Sequence, residues 1–347
     1  MPAVAVADEL RDRGAEVTFL GARGRVEADL VPGAGYEIDL LELSGIDRKN
    51  PLKAARAAIQ AAAATPRARR LLKSRGADVV MGGGGFVAGP AGVAARTMKL
   101  PLVLTEADRH LGLANRLLAR RADRVCLAFA IDGLDGDRYM VTGRPVNRAV
   151  LSGDRTNARQ RFGIAPERKV LLVMGGSLGA RTINYAAVEA FAERSGRDFD
   201  VIHLSGKRDY PDLKARLDVA GNQAGYTLIE YEPDLGDSLA ACDLVLGRSG
   251  GSIFELTATG RPGVLIPYPY ATADHQAANA AWMSDAGAAR VVSDEDLSAD
   301  LIARLVPEVL NDQSGLAAMS RASASLARPD AASEIANEVL KAAEAGS

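Results

Sequence analysis

The residues with the clearest potential for chemistry run from Gly247 to Glu255. An apolar run, Asp243 to Leu246, predicts a short buried strand, and a turn of small residues then opens a helical pattern that carries Glu255. Backbone N–H groups at a helix N-terminus attract anions, and Gly and Ser let a diphosphate approach the main chain closely. The pattern therefore predicts a strand-turn-helix phosphate site. The Glu255 carboxylate, one turn into the helix, is placed to accept hydrogen bonds from two ribose hydroxyls.

Polar residues follow this site downstream. Pro267 to Tyr270 predicts a rigid loop, and Asp274, Gln276 and Asn279 supply polar side chains directly after it. Together with the phosphate site, these residues predict a pocket for a nucleotide sugar.

Composition sets the class of protein. The chain has 347 residues, of which 48% are hydrophobic, and a formal net charge of −2. This length predicts two domains, each able to bury a core, and the near-neutral charge gives no electrostatic reason to expect a nucleic-acid partner. Cys126 and Cys242 lie far apart without metal-ligand spacing, which favours a reducing compartment. We find no pattern typical of a signal peptide or of a membrane-spanning helix, so we expect a soluble protein that can still touch a membrane surface.

The coarse pattern alternates strands and helices, which predicts parallel sheets covered by helices on both faces. The alternation starts afresh after Gly143, so we predict an N-terminal domain over residues 1–146, a second over 147–329 and a helical tail over 330–347 that packs back on the first domain. Glycine clusters at 82–85 and 175–179 follow strands, where ligands bind in such sheets. Tight turns alone also favour glycine.

No motif predicts a cofactor or a metal ion. Neither glycine cluster is followed by Gly-Lys-Ser/Thr, which argues against a P-loop, and the spacing from Gly175 to Gly179 does not fit a dinucleotide fingerprint. We interpret the acidic run Asp294-Glu295-Asp296 as a solvated loop.

Several motifs, in order, resemble the MurG family. They are Gly175-Gly176-Ser177-Leu178-Gly179-Ala180-Arg181-Thr182-Ile183-Asn184, the Arg248-Ser249-Gly250 turn with Glu255, Asp274-His275-Gln276 with Asn279 and, in the first half, Glu27 to Pro32, Ser44-Gly45, Asp78 to Pro90 and Gly143 to Val146. The resemblance covers nearly the whole chain. It implies an α/β protein of GT-B architecture, in which two Rossmann-like doubly wound domains face a cleft.

The resemblance also implies the activity. Members of the family are inverting hexosyltransferases that move N-acetylglucosamine from UDP-GlcNAc to the MurNAc 4-hydroxyl of undecaprenyl-pyrophosphoryl-MurNAc-pentapeptide (lipid I). The product is lipid II, used in peptidoglycan synthesis and hence in cell shape and division. The family works without a cofactor, as a peripheral protein at the cytoplasmic face of the cell membrane.

Site roles carried over from the family fall mostly on the second domain. Ser177 and the turn residues would hold the diphosphate, Arg248 would neutralise the leaving group, Glu255 would bind the ribose, the segment from Tyr231 to Asp234 would border the uracil, and the downstream polar residues would face the sugar. The implied UDP-GlcNAc residues are Asn115, Ser177, Tyr231, Glu232, Arg248, Ser249, Gly250, Gly251, Ser252, Glu255, Asp274, Gln276 and Asn279. Those implied for the acceptor pyrophosphate are Gly82, Gly83, Gly84, Gly85 and Phe86.

The chain departs from the family pattern at three places. The family opens with a strand and a Gly-Gly-Thr-Gly-Gly-His loop, whereas this sequence starts at Met1-Pro2-Ala3-Val4, so we expect it to lack that strand, half of the acceptor cradle and the loop histidine. Either the domain begins atypically or the start lies upstream. The catalytic base is therefore unassigned: His110 lies where the family has a His-Glu-Gln-Asn segment and is a candidate, while His203 fits a core strand. Asn147 replaces a family arginine, whose charge Arg144 or Arg148 can supply.

Two basic clusters are candidates for contact with anionic lipid: Arg67, Arg69, Arg70, Lys73 and Arg75, and then Arg116, Arg120, Arg121 and Arg124. A solvated helix face is the competing interpretation. Two other functions also stay open: a UDP-sugar-binding protein without activity, and an enzyme resembling UDP-GlcNAc 2-epimerase.

Overall fold

The computed structural model describes residues 2–43, 51–175, 180–192, 197–221, 224–233, 235–271 and 274–346, with only the backbone for 51–58. The chain divides into two compact units, Met1–Asn147 with Arg328–Ser347, and Arg148–Ala327. Ser44, Gly45, Ser177 and Asp234, which carried predictions, lie outside the described residues.

Unit 1 alternates helices and strands along the chain. Its elements are α1 (Pro2–Asp12), β1 (Thr18–Ala22), α2 (Glu27–Gly33), β2 (Glu37–Leu41), α3 (Pro51–Ser74), β3 (Val80–Gly82), α4 (Gly85–Thr97), β4 (Leu102–Glu106), α5 (Leu113–Leu118), a 3-10 turn (Ala119–Arg121), β5 (Arg124–Leu127) and β6 (Tyr139–Val141). Within the described residues, β1 pairs with β2, and a separate parallel sheet has the order β3-β4-β5-β6.

The same helices cover the β1–β2 pair and the β3–β6 sheet. On one face, Val6 of α1 shares a core with Val103 of β4, and Val17 and Met81 pack against it. On the other face, Leu41 of β2 shares a core with Leu102 of β4 and with residues of α3 and α4. The apolar run Leu102 to Leu104 is buried on both sides, as expected for a strand in a doubly covered parallel sheet.

Unit 2 continues the alternation. It comprises α6 (Arg148–Leu151), α7 (Arg155–Arg161), β7 (Lys169–Met174), α8 (Arg181–Phe191), β8 (Phe199–Leu204), α9 (Tyr210–Ala220), β9 (Tyr226–Ile229), α10 (Leu235–Ala241), β10 (Leu244–Gly247), α11 (Ile253–Ala258), β11 (Gly263–Leu265), α12 (His275–Asp285), β12 (Ala289–Val291), α13 (Ala299–Asn311) and α14 (Gln313–Ser325). Its described strands form one parallel sheet in the order β12-β11-β10-β7-β8-β9. The order reverses between β7 and β10, which makes this point the topological switch of the sheet.

The last helix, α15 (Ala331–Gly346), belongs to unit 1. Ile335 and Val339 of this helix join the core that contains Val6 and Val103. At its polar edge, Arg13 donates to Asn337 Oδ1 at 2.6 Å and to Ser333 Oγ at 2.8 Å, and Arg124 pairs with Glu338 at 2.6 Å. Packing and polar contacts therefore both attach the C-terminal helix to unit 1.

Candidate active site

The strands β7 and β10 end side by side at the switch point of the unit 2 sheet. Met174 at the end of β7 lies opposite Gly247 at the end of β10. A Cβ on Gly247 would lie only 2.6 Å from the Met174 carbonyl oxygen, so this approach requires glycine. Ligands of doubly wound sheets bind at the carboxyl ends of strands at this kind of point.

The turn after β10 offers backbone donors. In the described part of the chain, the N–H groups of Gly250, Gly251 and Ser252 have no protein acceptor, whereas the N–H of Ile253 donates to the Gly250 carbonyl at 3.3 Å. The following helix, α11, has only six residues, so its dipole is small. Attraction for a phosphate therefore comes mainly from the open N–H groups of the turn. Glu255 lies part-buried in the first turn of α11.

Ser249 and Asn279 have their side chains occupied by the protein. Ser249 Oγ donates to the Gln276 carbonyl at 2.7 Å, and Asn279 Nδ2 donates to the Ser249 carbonyl at 3.0 Å. Both residues are buried. They attach the phosphate turn to α12, and donation from the Ser249 hydroxyl to a ligand would require breaking its bond to the Gln276 carbonyl.

Gln276 is better placed for a ligand. Its Oε1 accepts from the Tyr268 N–H at 3.0 Å, which sets the orientation of the amide. Its Nε2 then lies beside the turn, 3.6 Å from where a Cβ on Gly250 would be. This donor can reach a sugar or phosphate oxygen at the turn. Asp274 is exposed in a left-handed conformation at the N-terminus of α12.

Arg248 is paired inside the protein. It donates to the Ile266 carbonyl at 3.2 Å and to Thr182 Oγ1 at 2.8 Å, and it forms an ion pair with Asp294. Arg248 therefore links β10 to the start of α8 and to the loop after β11. The acidic run Asp294-Glu295-Asp296 lies in a loop in which Glu295 and Asp296 are exposed, as interpreted, but the Asp294 carboxylate is part-buried, pairs with Arg248 and also accepts from Thr182.

In the segment after β9, the side chain of Tyr231 is exposed and that of Glu232 is buried. Tyr231 is 61% exposed, with the Lys207 ammonium 5.9 Å from the centre of its ring. The Glu232 side chain has no exposed surface and accepts from Arg161 at 2.8 and 3.1 Å. The aromatic ring of Tyr231 is open to a ligand, whereas the Glu232 carboxylate is held by α7.

A second set of candidate site residues lies at the carboxyl ends of β3 and β4 in unit 1. Gly84 and Gly85 have φ values of 80° and 73°, which favour glycine, and α4 begins at Gly85. Asn115 is 1% exposed, and its Nδ2 lies 3.9 Å from where a Cβ on Gly84 would be. Gly82 packs against Leu104 and Gly83 lies near Thr105, while Phe86 is partly exposed with Arg25 over its ring.

Sequence reasoning missed Glu106, the last residue of β4. Its Oε1 accepts from the N–H groups of Ala107 at 2.9 Å and Asp108 at 3.2 Å. Its Oε2 accepts from the Gly112 N–H at 2.7 Å and from Asn115 Nδ2 at 3.0 Å. The signal in the sequence that could have identified it is an acidic residue at the end of an apolar strand. His110 lies part-exposed in the loop that Glu106 organises, without a hydrogen-bond partner among the described residues.

Arg75 and Arg124, one from each of the two basic clusters, form ion pairs with acidic residues of unit 1. Arg75 pairs with Asp39 at 3.0 Å and with Glu37, and Arg124 pairs with Glu338, so neither charge is available to lipid in the way predicted. Arg144 is part-buried after Gly143, and Arg148 is exposed at the start of α6.

His203 is a core residue, as predicted. It has no exposed surface, and burial lowers the pKa of its imidazole to about 3. Its Nδ1 lies 2.7 Å from Tyr226 Oη and its Nε2 lies 3.0 Å from Asn184 Oδ1. No free face remains for substrate.

Comparison with known proteins identifies the family. Residues 1–127 match the model of the glycosyltransferase family 28 N-terminal domain, and residues 170–335 match that of the family 28 C-terminal domain. A Moorella thermoacetica protein is 37% identical over 356 residues, which cover 99% of this chain and 96% of that protein. Its name is UDP-N-acetylglucosamine–N-acetylmuramyl-(pentapeptide) pyrophosphoryl-undecaprenol N-acetylglucosamine transferase. The chain belongs to glycosyltransferase family 28.

Solved structures agree with family 28 membership. The crystal structure of Acinetobacter baumannii MurG is 27% identical and superposes with a TM-score of 0.76, covering 98% of this chain and 95% of that one. UDP-GlcNAc 2-epimerase from Neisseria meningitidis bound to UDP-GlcNAc is 17% identical with a TM-score of 0.69, covering 98% and 96% of the two chains, and shows a shared fold alone. The predicted MurG-type family and the α/β class with two Rossmann-like domains are confirmed.

Proposed function

We propose that this family 28 chain is a hexosyltransferase that moves N-acetylglucosamine from UDP-GlcNAc to the MurNAc 4-hydroxyl of lipid I and so forms lipid II. The observation that carries the proposal is the switch-point site of unit 2, where open N–H groups and the Gln276 amide donor lie at the turn that follows Gly247, a position that requires glycine. The relatives named for this reaction, similar over almost the full length of the chain, support the same activity.

The donor binds to unit 2 in this proposal. The N–H groups of Gly250 to Ser252 hold the diphosphate and stabilise the charge that develops on UDP as it leaves. Glu255 accepts from the ribose hydroxyls, Gln276 Nε2 donates to the sugar, and Tyr231 borders the uracil. The role of Ser249, Asn279 and Arg248 is indirect in this proposal. Their side chains bind other protein groups and so hold the turn in place. Ser177 keeps its predicted role at the diphosphate.

The acceptor binds to unit 1, with its pyrophosphate against the glycine turn at Gly82 to Gly85 and beside Phe86. Transfer is a single inverting displacement at the anomeric carbon, during which a base takes the proton of the acceptor hydroxyl. Glu106 is a poor candidate for this base because its carboxylate already accepts four hydrogen bonds from described residues. His110 remains the candidate.

We also propose that the protein works as a peripheral protein at the cytoplasmic face of the cell membrane, in the synthesis of the peptidoglycan wall that sets cell shape and division. Among the described residues, no helix is both long and apolar enough to cross a membrane. Leu117 is 69% exposed between Arg116 and Arg120, and α3 presents a row of exposed basic residues, Arg67, Arg69, Arg70 and Lys73. Apolar side chains flanked by cations suit the surface of an anionic bilayer.

The deciding experiment incubates the protein with radiolabelled UDP-GlcNAc and a lipid I analogue and separates the products. We expect label in a lipid II analogue and stoichiometric UDP. Conversion of UDP-GlcNAc to UDP-ManNAc without acceptor would favour the epimerase alternative. UDP binding with no turnover in either assay would favour a binding protein, and either result would overturn the proposal.

A further inference from the structure

Glu106 holds the loop after β4 closed. Three of its four hydrogen bonds from described residues come from backbone N–H groups, those of Ala107, Asp108 and Gly112. The distances of 2.9, 3.2 and 2.7 Å, and the burial of the residue, give a loop whose shape depends on a single carboxylate. The fourth bond comes from the side chain of Asn115 at 3.0 Å.

The orientation of the Asn115 amide follows from its partners. One group of this amide lies between the Thr105 carbonyl, at 2.9 Å, and Glu106 Oε2, and both of these atoms are acceptors only. That group must therefore be the NH₂ donor. Asn115 Oδ1 is then the remaining oxygen, and it is buried without a partner among the described residues.

A buried carbonyl oxygen without a partner is costly, and native structures keep few of them. The Asn115 amide lies at the carboxyl ends of β3 and β4, where its Nδ2 is 3.9 Å from the position of a Cβ on Gly84, and Oδ1 is bonded to the same carbon as that nitrogen. Ligands enter parallel sheets at this edge. The oxygen can accept a hydrogen bond, and the donors that a sugar substrate offers are hydroxyls and amide N–H groups.

We propose that Glu106 is a positioning residue, which fixes the Asn115 amide so that its Oδ1 accepts a hydrogen bond from a hydroxyl or amide N–H of a sugar substrate. The proposal rests on the proposed glycosyltransferase function. It assigns the recognition in unit 1 to a pair of residues, of which Asn115 contacts the substrate and Glu106 acts through Asn115.

The test compares Glu106→Gln, Asn115→Leu and the double variant. Gln replaces one carboxylate oxygen by an NH₂ donor and removes the charge, which weakens one of the two contacts that orient the Asn115 amide, and Leu removes the acceptor proposed to face the substrate. We expect each single variant to lower kcat/KM by about 10- to 100-fold, the range of one hydrogen bond to a buried group. Because both changes remove the same contact, the kcat/KM of the double variant should lie within about threefold of that of the less active single variant.

Glu16→Gln is the matched control. It makes the same change from carboxylate to amide at an exposed position of unit 1, away from the Asn115 amide, so activity should stay within about twofold of the wild type. UDP affinity, measured by calorimetry, should be unchanged in all variants because the phosphate turn is in unit 2. Circular dichroism and Tm report folding, and Asn115→Ser replaces Asn115→Leu if the latter does not fold.

Additive losses in the double variant, or wild-type kcat/KM in a folded Asn115 variant, would overturn the positioning role. A loss of Tm without any change in kcat/KM would reduce Glu106 to a structural residue. If the wild-type protein makes no lipid II, the proposed function fails by itself. In that case the affinities of the same variants for UDP-GlcNAc and for the lipid I analogue decide the inference, since one of the two must fall for the inference to stand.

Discussion

Lowering the pH should destabilise unit 2 through His203. This residue lies on β8 with no exposed surface, and its hydrogen bonds define one tautomer. Asn184 Nδ2 donates to the Ser205 carbonyl at 2.9 Å and to Asp209 at 3.0 Å, so Asn184 Oδ1 is the atom that accepts from His203 Nε2–H. Tyr226 then donates to the unprotonated Nδ1. A second imidazole proton on Nδ1 would face the hydroxyl hydrogen of Tyr226, so this hydroxyl would have to turn to accept it.

The size of the effect follows from the two pKa values of the imidazole. Burial lowers the pKa in the folded protein to about 3, from an ordinary value of 6.5. Below pH 6.5 the unfolded chain binds a proton that the folded chain does not, so stability is fully present above that pH and is lost as the pH falls toward 3. At pH 4.5 the protonated unfolded state lowers the free energy of unfolding by roughly 3 kcal/mol, whereas at pH 6.5 the decrease is well under about 1 kcal/mol. The expected difference is therefore about 2 kcal/mol.

Urea unfolding at pH 6.5 and pH 4.5 measures this difference. Trp282, the one tryptophan of the sequence, packs against Phe254 in unit 2, so its fluorescence follows the unfolding of that unit. His203→Gln should lose about 2 kcal/mol of the pH dependence seen in the wild type. Tyr226→Phe is the control, because it keeps a buried imidazole and should keep the dependence. Equal pH dependence in the wild type and His203→Gln would show that the folded protein accepts the proton, and would refute the reasoning.

Two further changes test the phosphate site and the membrane surface. Gly247→Ala should cost about 1–3 kcal/mol of unfolding free energy and weaken UDP binding, because its Cβ would meet the Met174 carbonyl, whereas Gly250→Ala, which meets no such atom, should leave the urea midpoint near the wild-type value. Replacing Arg69, Arg70 and Lys73 by Gln should weaken co-sedimentation with anionic vesicles by about 100-fold, at roughly 1 kcal/mol per charge. Arg321→Gln, an exposed site in unit 2, should have little effect on co-sedimentation, and unchanged binding of the triple variant would contradict a role for α3.

The elements around the site could be predicted from local sequence. The apolar run from Asp243 to Leu246 and the small residues after it are enough to predict β10 and the turn, because burial of a parallel strand and tight turning leave a strong pattern over few residues. The residues from Pro51 to Ser74 by themselves predict a long helix, and α3 has those bounds in the structure. The length of α11 was harder to predict, since six residues are too few for a helical period to be distinct.

Local sequence could not predict which polar side chains are open to a ligand and which bind other groups of the protein. Arg248 and Asp294 are 46 positions apart, and Arg161 and Glu232 are 71 apart. Such pairs form only when the sheet brings distant strand ends together, so a motif shows which residue types are near a ligand but not which of them the protein itself binds. Ser249 illustrates the point, because its position in the turn was correct but its hydroxyl serves the Gln276 carbonyl.

Several charged side chains near the candidate sites are paired inside the protein and are therefore not open to a charged ligand. The Arg248 guanidinium is balanced by Asp294, and the Glu232 carboxylate is balanced by Arg161. Glu106 is held by N–H groups and by an amide. Among the described residues, the N–H groups of the phosphate turn and Gln276 Nε2 in unit 2 stay open, as does Asn115 Oδ1 in unit 1. In the proposed reaction, the donors of unit 2 are held in place before the ligand arrives and need little reorganisation when charge moves onto the leaving diphosphate. The paired charges would then serve that reaction by fixing the orientation of neutral groups.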